Sequence, residues 1–92
     1  MADDTDFPPE VVQAQRDYYA VDARVDKLVA QLPSSVDVLA GTAAMPAELR
    51  AAVDAARAER LKLVDVLYGH EYWETVDDRH AARTELQEIA RR

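Results

Sequence analysis

Four residues in the last third of the chain have side chains that could do chemistry together. His70, Glu74, Asp77 and His80 follow one another at spacings of four, three and three. On one helix, at about 100° per residue, they would gather into a sector of roughly 120°. Imidazole and carboxylate ligands suit zinc, iron or manganese, so this face is the candidate site for a metal or a small molecule. The plainer reading is a solvated acidic face with pairs such as His70–Glu74 one turn apart, and the pattern favours it. It is neither His-Glu-x-x-His nor the Glu-x-x-His of di-iron bundles, and the first helix offers acids but no histidine. No cofactor is assigned.

A second group is aromatic. Tyr68, Tyr72 and Trp73, with Tyr18 and Tyr19 from the first helix, form either a helix corner capped by large rings or a binding surface. Trp73 falls to one side of the apolar stripe of its helix, which keeps the second option open. The candidate partner-binding residues are therefore Tyr68, Tyr72, Trp73 and Tyr19.

Other chemistries find little support. There is no cysteine to act as nucleophile or thiolate ligand. Ser34 and Ser35 sit beside Pro33 in a helix-capping context, and no Gly-x-Ser-x-Gly occurs. Two glycines are too few for a phosphate-cradling loop. Glu71-x-x-Glu74 and Glu85-x-x-Glu88 pair acids as all-α nucleotide pyrophosphatases do, but both pairs fall on one helix and the surrounding pattern is missing. A net charge of −7 opposes nucleic-acid binding, which needs clustered cations. The C-terminal Arg79, Arg83, Arg91 and Arg92 follow a helix too long for a helix-turn-helix. The chain is expected not to be an enzyme.

The elements that would position these residues are helical. Residues 1–6 read as a flexible acidic tail, and residues 7–92 as one helical domain. Asp6 is a possible cap, with Pro8, Pro9 and Glu10 opening a helix over 8–32. Val11, Ala14, Tyr18, Val21, Val25, Leu28 and Leu32 recur at alternating spacings of three and four, and Val12, Tyr19 and Val29 widen that stripe. Pro33 ends the helix. The connection, 33–45, has room for one short turn at Val36–Ala40, capped by Ser34 or Ser35 and closed by Gly41. Its Val36, Val38 and Leu39 are expected to tuck over one end of the bundle.

A second helix is expected over 46–68 and a third over 71–90, with a break or sharp kink at Gly69. Leu61 to Tyr68 is apolar around more than half its circumference, so it reads as a hub covered from two sides. Arg60 is the one polar seam position before it, and Arg79 and Arg83 are expected to snorkel or to pair with acids of the first helix such as Asp22 or Asp26. The fold expected is all-α: a three-helix up-down-up bundle on a long antiparallel hairpin. Neither a membrane-spanning run nor a signal peptide is evident, so a soluble cytoplasmic protein is expected. The function expected is a small interaction or regulatory module acting through a helical surface, as a homodimer and with no nucleic-acid or membrane partner. The alternative is a metal- or small-molecule-binding protein using the His70, Glu74, Asp77 and His80 face.

Overall fold

Two proline residues and a phenylalanine begin the folded chain. In the computed structural model, which describes residues 7–92, Pro8 takes the N-cap position and Pro9 the first helical one. Proline costs nothing there, because the first N–H groups of a helix have no intrahelical partner. Phe7, only 3 % exposed, joins the same core cluster as Val12, the N′ and N4 positions that pack together as a hydrophobic staple. Asp6 and the acidic tail lie outside the described residues.

The described residues form four α-helices and no strand: α1 (Pro9–Val29), α2 (Ser35–Leu39), α3 (Ala47–Tyr68) and α4 (Arg79–Ala90), with a 3-10 turn at Glu71–Thr75 before α4. The long helix α1 stops as an α-helix three residues before the expected end. Gln31 and Leu32 donate instead to the carbonyls three back, Leu28 and Val29. Pro33 disfavours the α conformation for Leu32, so the last turn tightens.

Side-chain pairs fix how α1 and α3 meet. Glu10 reaches His70 at one end, Asp22 bonds Arg60 at 2.8 Å further along, and Arg24 pairs with Glu59. Rising numbers on α1 meet falling numbers on α3, so the two helices are antiparallel. Arg60, the polar seam position, is therefore satisfied by Asp22. Asp22 is thus not the partner of Arg83.

α4 covers only one end of this pair. Its 12 residues span about 18 Å, against about 32 Å for the 21 of α1. At that end lies the larger core, Phe7, Val11, Val12, Ala14, Leu67, Trp73, Leu86 and Ile89. Further along, where only α1 and α3 face each other, the buried cluster is Val21, Val25 and Ala56, with Leu28 and Leu63 packed against it. The molecule measures 54 × 21 × 19 Å and its radius of gyration is 17.5 Å. A compact chain of this length would have about 12 Å. It is a three-helix end with a two-helix arm.

Three expectations need correction. Val36 and Leu39 do not tuck over the bundle: they are 72 % and 87 % exposed. α2 is held locally instead, by the Ser34 hydroxyl accepting from the Val36 N–H, by Thr42 donating to the Asp37 carbonyl, and by Gly41 at φ +76°. The Leu61–Tyr68 segment is no doubly covered hub, since Leu61 is 65 % and Val66 59 % exposed while Leu67 alone is fully buried. Val66, next to the fully buried Leu67, lies on the outer face of α3, which no described element covers.

The expected third helix, 71–90, is two pieces. The 3-10 turn ends at β-branched Thr75, Val76 is extended, and the Asp78 carboxylate then accepts from the Ala81 N–H to start α4 afresh. Gly69 caps α3 with φ −83°, in the right-handed region. A Cβ there would lie 2.5 Å from the Asp65 carbonyl oxygen, which gives the position its own reason to be glycine.

Candidate functional site

The expected metal face does not assemble. His70 precedes the 3-10 turn, Glu74 lies within it, Asp77 lies in the extended break and His80 in the first turn of α4. The four side chains would share a sector only on one continuous helix, and the break at Val76 separates them. His70 is also occupied. Its Nδ1 accepts from the Tyr72 N–H at 3.0 Å, which leaves Nε2 to donate to a Glu10 carboxylate oxygen at 3.1 Å. Glu10 is correspondingly held below the ordinary carboxylate range, first by a backbone hydrogen bond at the start of α1 and then by His70. Among the described residues no group of three or more His, Asp or Glu could hold a metal ion.

The aromatic candidates divide. Trp73 is 4 % exposed and its indole N–H donates to the Leu67 carbonyl at 2.6 Å. That carbonyl is among the last four of α3, which lack intrahelical donors, so the indole caps the helix from the side. The expectation that Trp73 faces a partner is corrected: it plugs the corner between α3 and α4. Tyr72, half-buried, packs on Phe7 and Trp73 with ring centroids 5.4 and 5.3 Å apart.

Tyr68 and Tyr19 face elsewhere. They line a cavity of about 350 Å³ together with Gln15, Val64, Leu67 and Arg83, and with Arg91 at its edge. The guanidinium of Arg83 lies 4.9 Å from the centre of the Tyr68 ring, and that of Arg91 lies 5.2 Å from Tyr19. Gln15 is 2 % exposed. Its Oε1 and the Tyr19 hydroxyl are the buried side-chain polar atoms that find no hydrogen-bond partner among the described residues.

Sequence reasoning passed over Gln15, Arg83 and Arg91 as site residues. The signal for Gln15 was there: Val12, Gln15 and Tyr19 follow at helical spacing on the broadened side of the α1 stripe, with one amide between two apolar or aromatic residues. Arg91 gave no such signal, because a C-terminal arginine suits the helix dipole wherever it points.

An all-helical domain with a short fourth helix over one end of a long pair is the class that these elements define. Residues 10–89 match the domain of unknown function DUF8825, nearly the whole described chain, and the protein belongs to that family. No curated protein and no solved structure matches it. No helix among the described residues is long and apolar enough to cross a membrane.

Proposed function

We propose that the protein is a small non-enzymatic interaction module that works as a homodimer in the cytoplasm, and that its contact surface is the two-helix arm. In this reading the fold is an up-down-up bundle at one end, with α4 returning beside α1. At the other end a second copy takes the place that α4 leaves open. The observation that carries it is the distribution of exposed apolar side chains. Of the five large ones among the described residues, Val29 and Leu61 lie on the two helices of the arm, and Val36 and Leu39 on α2, which joins them. The arm's own buried side chains are small: Val21, Val25 and Ala56 in one cluster, and Val53. A helix pair with so little between its members is stabilised by a further layer. A second copy supplies that layer through a self-complementary contact.

Solution mass across a concentration series tests this reading. The wild-type chain is expected to pass from monomer to dimer, and Leu39→Glu with Leu61→Glu to stay monomeric with unchanged helicity. Both substitutions are at exposed positions, so loss of fold is not their expected effect. A monomer at every concentration would overturn the proposal.

A further inference from the structure

We propose that the cavity between α1, α3 and α4 is a binding site for a small amphiphilic carboxylate that carries a hydroxyl or amine at its far end. The inference stands apart from self-association, because it concerns the three-helix end and not the arm. Three observations converge on it. First, the cavity, at about 350 Å³, lies at the lower end of the range of small-molecule sites and is lined by Val64, Leu67 and tyrosine rings. Second, two residues of its lining hold buried polar atoms whose hydrogen bonds are unmade, Gln15 Oε1 and the Tyr19 hydroxyl. A buried acceptor without a donor costs free energy, and a ligand N–H or O–H placed there recovers it.

Third, the rim carries Arg83 and Arg91 in a protein of net charge −7. Neither guanidinium is ion-paired among the described residues; each rests over a tyrosine ring. Stacking fixes the plane of a guanidinium and leaves its N–H edge free to take a carboxylate. Charge at the mouth, apolar walls and neutral polar atoms at the base define the ligand in order: carboxylate, flat or apolar body, then hydrogen-bond donor. A dianion with no apolar body would leave the interior unfilled.

The test uses para-hydroxyphenylacetate as probe, with phenylacetate and para-hydroxyphenylacetamide as controls, read by chemical-shift perturbation on the full chain. Shifts are expected at residues 15, 19, 68 and 83. The amide, lacking the negative charge, is expected to bind at least about tenfold more weakly, as is the acid to the Arg83→Gln, Arg91→Gln double variant. That is the loss of one charge-assisted contact, since about 1.4 kcal/mol is a factor of ten. Both arginines lie on the exposed side, so the double variant keeps its fold. Gln15→Leu is expected to abolish the preference for the hydroxylated acid over phenylacetate. Absence of cavity shifts with millimolar probe would overturn the proposal. So would equal binding of acid and amide, or a double variant that binds as the wild type does.

Discussion

The two ends of this molecule are built from the same two helices, yet they are held together differently. At the three-helix end, Leu67, Leu86, Ile89 and Val11 are at most 1 % exposed, and Trp73 closes the corner with a hydrogen bond to the end of α3. Full burial of such side chains contributes about 1.5–3 kcal/mol each. In the arm, four small side chains are buried, Val21, Val25, Val53 and Ala56, and the cross-helix contact includes two ion pairs, Asp22 with Arg60 and Arg24 with Glu59. Those pairs are from a third to a half exposed, so each stabilises by under about 1 kcal/mol after screening. One end carries its own stability. The arm contributes little, and its surface is where the apolar side chains remain uncovered.

The contrast is sharpened most by substitutions that remove large volumes from each core. Trp73→Ala is expected to cost about 3–5 kcal/mol, read as a lower urea midpoint, because it leaves a cavity and strips the Leu67 carbonyl of its donor. Val25→Ala in the arm removes two methyl groups beside a smaller core and is expected to cost only about 1–2 kcal/mol at concentrations where the chain is monomeric. Equal losses at the two sites would erase the distinction.

Gln15→Leu has the opposite sign. It replaces a buried amide with an unmade hydrogen bond by an apolar side chain of similar size, and is expected to stabilise by about 1 kcal/mol without ligand. The smallest effect concerns Glu10, which is fully exposed. Its carboxylate is held below the ordinary range by the backbone at the start of α1 and then by His70. A lowered folded-state value favours folding above the ordinary carboxylate range, and that contribution is lost as pH falls through the lowered value. Glu10→Gln is therefore expected to lower the melting temperature slightly at neutral pH and to leave it unchanged below the lowered value, so that the acid side of the profile flattens.

How much of this was readable in the chain depends on what each residue's signal refers to. The α1 stripe, the Ser34 cap with Gly41, and the proline start are local, and periodicity or capping chemistry reveals local features. The burial of Trp73 is not local: it depends on the break at Val76, which moves the indole from the side of an imagined helix into the corner after α3. The same break disperses His70, Glu74, Asp77 and His80. Thr75-Val76 followed by Asp77-Asp78 was the available sign, a β-branched pair before an N-cap residue. The apolar Leu61–Tyr68 segment misled for another reason. Hydrophobicity around a helix states that burial would be favourable, not that the chain has enough helix left to provide it, and α4 stops short. The cavity was legible only at Gln15, since the positions of Arg83 and Arg91 over Tyr68 and Tyr19 depend on how α4 returns.

Amide hydrogen exchange at low and high protein concentration tests the division between the two ends most directly. Protection in the three-helix end, residues 11–15, 64–68 and 82–90, is expected to be high and independent of concentration. Protection in the arm, residues 21–29 and 49–61, is expected to be low in dilute solution and to rise as the second copy binds. Uniform protection along α1 and α3 at every concentration would contradict the account, as would a concentration-dependent change confined to α4.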